Sequence, residues 1–404
     1  MKIAFLSDFH FGFNEDATRQ AGEALKSASE KADAIILGGD LFDSRVPKQE
    51  VVYEAVKLLT QCKEKMLSKT SNKFKTVVEK SENKKEINGV PLLGIYGTHE
   101  RRTKGLANII QVLDSAGVMV NVHAAKAVVE GEGEKVAVQG MGGIPEEYAA
   151  KALEALSFQP VSGAFNIFVF HQTLRELVPV AEGISAADLP NGFDVYVDGH
   201  IHWAQELREA NKMILLPGST VVTQMKQTEI KPKGYYLYDT IKRVAEFVTV
   251  KTRPFEFVEV SFSEATATQV EKLCREAIAK AIEKHEGATP LVKLKVKGTL
   301  ARGTMASSID LAALEKEFAA KAILYVDKEF ASDELREKIE VLRKARNEQQ
   351  SARELGLEAL RKKLARLPPS RVEELFALLS EGDAEKAAAK LLQEKSSAQT
   401  ILSK

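Results

Sequence analysis

Five short clusters of histidine and aspartate, each closing or following an apolar run, constrain this chain more than any other feature. In order they are Asp8-Phe9-His10, Gly39-Asp40-Leu41-Phe42-Asp43, Gly97-Thr98-His99-Glu100, His171-Gln172 and Gly199-His200-Ile201-His202. One such cluster arises by chance, but five in order, each after a candidate strand, ask for a common explanation. Imidazoles and carboxylates at strand exits are the ligands that a divalent transition-metal pair requires. Asp40, flanked by glycine at a strand end, is the natural shared carboxylate between two cations. Asp8 with His10, and His200 with His202, repeat an i, i+2 spacing that puts both side chains on one face. The remaining histidines, His123 and His285, fall outside the pattern and are expected to be ordinary structural residues.

The surrounding grammar is α/β. Lys2–Ser7 and Ala34–Leu37 read as buried strands, and between them Ala21, Ala24, Leu25 and Ala28 mark a helix over Asp16–Lys31. A second helix is expected over Glu50–Gln61, a strand over Pro91–Tyr96 and a helix over Lys104–Ala116. Lys126–Glu130 and Lys135–Gln139 are expected to form a hairpin, and Phe165–Phe170, Val195–Val197, Met213–Leu216 and Tyr235–Tyr238 further strands. This alternation followed by a strand-rich half predicts an α/β sandwich of two mixed sheets flanked by helices, with ligands at strand C-terminal ends. After Thr249 a β-α-β-α-β run over Phe255–Val260, Glu264–Glu283, Leu291–Val296, Leu311–Phe318 and Ala322–Val326 predicts a small appended α+β domain.

The domain boundaries are then 1–250 for the sandwich, 251–330 for the appended domain, 331–369 for a charged linker or helix, and 370–404 for a helical pair. In the last of these, Ser370 and Glu373 are spaced as a capping box, and Val372, Leu375, Phe376 and Leu379 share a face. Gly382 ends that helix, and Ala384, Ala387, Ala388 and Leu391 form the next stripe. Either the pair docks a partner or it packs on its own domain.

Composition excludes more than it specifies. Acidic and basic residues balance at 57 each, so no global field attracts nucleic acid, and any such surface is local. Cys62–Asn88 is lysine-rich but diluted by glutamates, which reads as a solvated insertion or a track for phosphates. Two separated cysteines, Cys62 and Cys274, give no disulfide framework. Asp8 and His10 interrupt the first apolar run too early for a signal peptide, and no run approaches the roughly 20 apolar residues of a membrane span. A cytoplasmic, nucleoid-associated protein is expected.

The ordered clusters resemble those of the calcineurin-like metallophosphoesterases. Together with Leu216-Pro217-Gly218-Ser219-Thr220, Thr252-Arg253-Pro254-Phe255 and the terminal helices, the chain is similar to the Mre-eleven/SbcD nucleases of double-strand-break repair, of archaeal type. The resemblance implies two manganese ions: one on Asp8, His10, Asp40 and His202, the other on Asp40, His171, His200 and residue 98. His99 would be the general acid toward a leaving 3′-oxygen, a role suited to imidazole. It further implies 3′-to-5′ exonuclease activity on duplex DNA ends, endonuclease activity on single strands, and a homodimer through the helices after the second and third motifs. The appended domain would cap the site and bind DNA, and the terminal helices, through Leu375, Phe376, Leu379 and Leu391, would dock on the coiled coil of an SMC-like ATPase. Arg101 and Arg102, next to His99, are placed to hold a phosphate. The pattern is broken at Thr98, where the superfamily typically carries asparagine; a neutral hydroxyl is the poorer ligand, so the second ion should bind more weakly. Asp43 stands where many archaeal and eukaryotic relatives carry histidine. The competing readings are a metallophosphoesterase for a small phosphodiester and a DNA-end-binding scaffold of faded activity.

Overall fold

The computed structural model describes residues 1–81, 83–103, 105–179, 182–331, 352–364 and 368–380. They fall into two compact units, Met1–Glu259 with Arg275–Lys295 and Ala312–Asp327, and Val260–Cys274 with Val296–Leu311 and the described residues from Lys328 onward.

The first unit begins with β1 (Lys2–Leu6), α1 (Glu15–Lys31), β2 (Ala34–Leu37) and α2 (Gln49–Thr70). It continues through β3 (Phe74–Lys80), β4 (Asn83–Asn88), β5 (Leu93–Gly94), α3 (Ile109–Ser115), β6 (Val120–Asn121), β7 (Lys126–Gly131), β8 (Glu134–Met141) and α4 (Glu146–Leu156). Strands β9 (Phe165–Phe170), β10 (Val195–Asp198), β11 (Gln205–Glu209), β12 (Lys212–Leu216), β13 (Gly234–Asp239) and β14 (Val244–Thr249) complete two sheets. One runs β14-β13-β1-β2-β5-β6 and the other β11-β12-β10-β9-β8-β7-β3-β4. Both are mixed: β1 pairs parallel with β2 and antiparallel with β13, and β9 pairs parallel with β8 and β10 while β7 and β8 form the expected hairpin.

Alternation along the strands decides the layers. Ile3 and Phe5 of β1 join Ile36, Val138, Ile167, Val169 and Val197 in the core between the sheets. Ala4 and Leu6 turn the other way, onto a second core with Ala21, Ala24, Leu25 and Ala28 of α1, Leu59 of α2 and Ile110 of α3. A third core, with Phe168, Phe170 and Tyr196, lies under Ala149 and Leu153 of α4. This is the predicted sandwich of two mixed sheets between helices.

Several expectations need correction. The lysine-rich stretch forms regular elements of the fold: α2 continues through Met66 to Thr70, and β3 and β4 extend the second sheet, with Phe74, Thr76 and Val78 buried. Lys65, Lys69, Lys73, Lys75, Lys80 and Lys84 each face a carboxylate, which fits the solvated reading over a phosphate track. Helix α3 is shorter than Lys104–Ala116, because Asn108 and Gln111 close a capping box that starts it. Helix α4 was missed, although Ala149 and Leu153 carry an i, i+4 signal.

The rest of the chain holds β15 (Phe255–Ala265), α5 (Ala267–Glu283), β16 (Leu291–Leu300), α6 (Leu311–Phe318), β17 (Ile323–Ala331), α7 (Ala352–Lys363) and α8 (Pro369–Ser380). Strands β15, β16 and β17 form a three-stranded sheet in that order. Helix α8 does not begin on a Ser370 cap. Pro369 is its first residue, and the Pro368 carbonyl accepts from Arg371 and Val372 N–H. Helices α7 and α8 pair, with Phe376 against Gly356, and Leu375 is buried while Leu379 is exposed. The expected next helix, with Leu391, lies outside the described residues. No described helix is long and apolar enough to cross a membrane.

Candidate metal centre

The loops after β1 and β2 zip together. Asp8 N donates to Gly39 O at 3.0 Å, His10 N to Asp40 O at 3.1 Å and Phe11 N to Leu41 O at 2.7 Å. The first two clusters therefore meet at one sheet edge. Asp8, His10, Asp40 and His200 all hold left-handed backbone, with φ of +55°, +50°, +48° and +62°. Such strain in non-glycine residues gathers where function overrides local preference. Neighbouring glycines make room: a Cβ on Gly97 would sit 2.1 Å from Asp40 Oδ1, and one on Gly199 would sit 2.5 Å from His171 Nδ1.

Two ligand-type groups result, Asp8 with His10 and His202, and Asp40 with His171 and His200, the atoms of each within 4.8 Å of one another. His10 Nε2 lies 3.3 Å from His202 Nε2, and His171 Nε2 lies 3.1 Å from Asp40 Oδ2. Asp40 Oδ1 accepts from His99 N at 2.8 Å, and Thr98 Oγ1 donates to Asp40 Oδ2 at 3.2 Å. A third grouping, His10, Asp43 and His99, adjoins them.

The opposite nitrogen of each imidazole is held. His10 Nδ1 meets Asp43 Oδ1 at 3.0 Å, His171 Nδ1 meets Gly38 O at 2.8 Å, and His202 Nδ1 meets Thr223 Oγ1 at 2.5 Å. His200 is reversed, with Nε2 at 3.0 Å from Thr173 Oγ1, which donates to Glu146 Oε1 at 2.8 Å. Partners of this kind fix the tautomer and aim of a metal-binding histidine. The fit is also electrostatic. Both oxygens of Asp8 are buried without a hydrogen-bond partner, a costly state that a cation relieves. The mixed nitrogen and oxygen donor set suits manganese, iron or zinc.

Burial raises the Asp8 carboxyl to about 6, against the pull of His171. Burial works to lower His171, but the Asp40 carboxylate overrides it and lifts the imidazole to about 10. Burial and then His171 hold His200 down at about 4. Glu100, raised to about 8 by burial and Asp40, accepts from Phe42 N at 2.8 Å and Gly97 N at 2.6 Å, tying the second and third clusters together.

Sequence reading missed an outer ring of residues. Lys233, buried, donates to His202 O at 2.8 Å, Ser219 Oγ at 2.9 Å and Glu229 Oε1 at 3.2 Å. Glu229 in turn accepts from Thr223 N and Gln224 N, so one buried ion pair anchors the residue that aims His202. Glu146, Thr173 and Trp203 also border the site. Their polar signals were ordinary, and only Trp203, directly after His202, could have been noticed. Arg101 acts electrostatically on Tyr96 and Glu146, and Arg102 Nη1 reaches Arg45 O at 3.5 Å. His123 Nδ1 accepts from Gly142 N at 2.9 Å, and His285 Nε2 meets Glu256 Oε1 at 2.9 Å.

A two-sheet sandwich that gathers buried carboxylates and tethered imidazoles at its strand ends defines a metal-dependent phosphoesterase. The chain belongs to the calcineurin-like phosphoesterase family, whose model matches residues 1–204. It is 26% identical over 321 residues to the DNA double-strand break repair protein Mre11 of Methanopyrus kandleri, covering 72% of this chain and 66% of that one. It is 27% identical over 366 residues to double-strand break repair protein MRE11 of Arabidopsis thaliana, covering 73% and 50%. With the Caenorhabditis elegans protein mre-11 it shares 29% over 283 residues, covering 59% and 39%. The chain thus spans between 39% and 66% of these relatives' lengths. The resemblance to double-strand-break repair nucleases read from the motifs is matched by these relatives.

Proposed function

We propose that this chain is a manganese-dependent DNA nuclease of double-strand-break repair, acting 3′-to-5′ on duplex ends and endonucleolytically on single strands. The observation that carries the reading is the convergence of Asp8, His10 and His202 beside Asp40, His171 and His200, in a chain whose relatives bear that repair function in their names. Asp40 would be shared by two ions, and Thr98 would offer the weakest donor. A bound divalent pair supplies Lewis-acid stabilisation of charge developing on the phosphoryl group.

The chain's own residues supply the rest. His99 is exposed, with Nδ1 held by the Asp43 carbonyl at 3.0 Å, which leaves Nε2 to protonate the leaving 3′-oxygen. Arg101 and Arg102 would hold a flanking phosphate. A homodimer would use α2 and α3. Their Leu59, Ile110 and Leu113 belong to the core, so the surface on offer is Tyr53 of α2 and Val112 of α3, with Leu106 just before α3, all exposed. Docking on an SMC-like ATPase would fall to α8 and the residues after it, with Leu379 a large exposed apolar residue on α8.

The test supplies manganese with end-labelled duplex DNA, a single-stranded oligonucleotide and a small chromogenic phosphodiester, with His99→Ala as control. Shortening from 3′ ends, lost by about a hundredfold or more in the control, is the expected result. Turnover of the small ester alone would return the chain to a small-substrate phosphodiesterase. End binding without cleavage of anything would make it a scaffold.

A further inference from the structure

We infer that Trp203 is a stacking platform for an unpaired base next to the scissile phosphate, with Lys226 on the phosphate beyond it. This rests on the nuclease reading above. A cleft of about 240 Å³ is lined by Asp40, His99, His200 and His202 and, in the same wall, by Trp203, Val178, Gln224, Lys226 and Thr228. The wall is chemically divided. Trp203 and Val178 are apolar, while Gln224, Lys226 and Thr228 are exposed polar residues. A phosphate needs only the polar part. An aromatic surface and a cation lining one cleft match a nucleotide, because every base has a π-face that stacks on an indole.

Trp203 is held for this task. It packs against the core cluster that includes Phe170, Ile201 and Leu216, and its Nε1–H donates to Gln205 Oε1 at 3.0 Å. The ring is therefore fixed before any ligand arrives, and little rotamer freedom remains to be lost on binding. Its position next to His202 in the chain ties the platform to the metal-ligand loop itself. A base inside a duplex is already stacked on its neighbours, so the platform favours a frayed or single-stranded end.

Because the chain contains one tryptophan, its fluorescence reports this residue alone. The full chain, at fixed manganese, is titrated with a phosphorothioate oligothymidylate that resists hydrolysis and with an abasic strand of equal length. Saturable quenching by the first and little by the second is expected. By polarisation of a labelled strand, W203F should bind within about twofold of wild type and W203A about tenfold or more weaker. K226A should lower the slope of log affinity against log salt by about 1. Equal quenching by the abasic strand, or W203A binding like wild type, overturns the platform, and an unchanged salt slope removes Lys226. Cleavage of unmodified DNA without quenching counts against Trp203 alone; quenching without cleavage in manganese counts against the nuclease reading alone.

Discussion

The Nε2 atoms of His10 and His202 stand 3.3 Å apart, closer to each other than to the Asp8 carboxylate that both face, at 3.9 and 3.6 Å. Their Nδ1 atoms are engaged by Asp43 and Thr223. If those Nδ1 atoms carry the protons, two lone pairs and an unpartnered carboxylate converge on one point. A divalent cation is the group that resolves this arrangement.

Metal binding should therefore release protons and tighten as pH rises. Burial raises the Asp8 carboxyl to about 6, and the Asp40 carboxylate lifts the His171 imidazole to about 10 against burial. Below those values each must give up a proton before it can ligate, so affinity falls as pH falls. Calorimetry with manganese between pH 6 and pH 9, in buffers of different ionisation enthalpy, should show this; pH-independent affinity with no proton release would contradict the ligand assignment.

Thr98 donates its hydroxyl to Asp40 Oδ2 at 3.2 Å; toward a cation, an asparagine amide oxygen at this position would be the stronger ligand. Thr98→Asn should bind the weaker of two manganese ions about tenfold more tightly. Equal affinities in a two-site calorimetric fit would refute this account of the substitution.

The Thr223, Glu229 and Lys233 support predicts two separable effects. Thr223→Val frees His202 Nδ1 and should weaken manganese binding about tenfold or more, while Thr223→Ser should restore it. Lys233→Met leaves Glu229 buried without its cation, at a cost of about 3 to 5 kcal/mol in chemical denaturation. A neutral Lys233→Met change would show that the ion pair is not needed to hold the loop.

Gly97→Ala should lose the site outright. Its Cβ would fall 2.1 Å from Asp40 Oδ1 and 2.4 Å from Asp40 N, and no side-chain rotation moves the backbone nitrogen away. Manganese binding within about twofold of wild type would mean that the loop relaxes far more than close packing permits.

Deleting residues 370–404 tests the proposed docking role. Manganese-dependent cleavage should persist, while co-purification with the SMC-like ATPase should be lost. Retained co-purification would remove that role from α8 and the residues after it.

Local pattern alone was enough for much of this molecule. Apolar runs ending in Asp8, Asp40, His171 and His200 announced strands with ligands at their exits, because a buried strand must be apolar and a polar residue there has to serve something else. β2 and α6 run over Ala34–Leu37 and Leu311–Phe318, the bounds their periodicity suggested. The lysine stretch misled because surface charge masks the alternating burial of Phe74, Thr76 and Val78, which only pairing of β3 with β4 and β7 makes visible. Which histidine nitrogen is free, and that Lys233, Glu229, Thr173 and Glu146 stand behind the imidazoles, was decided by tertiary structure. Lys233 lies 31 residues from His202 and Thr173 lies 27 from His200, and such separations carry no spacing rule, since hydrogen bonds between loops depend on where sheets place them. The types of ligand were written in the order of residues; their aim was set by packing.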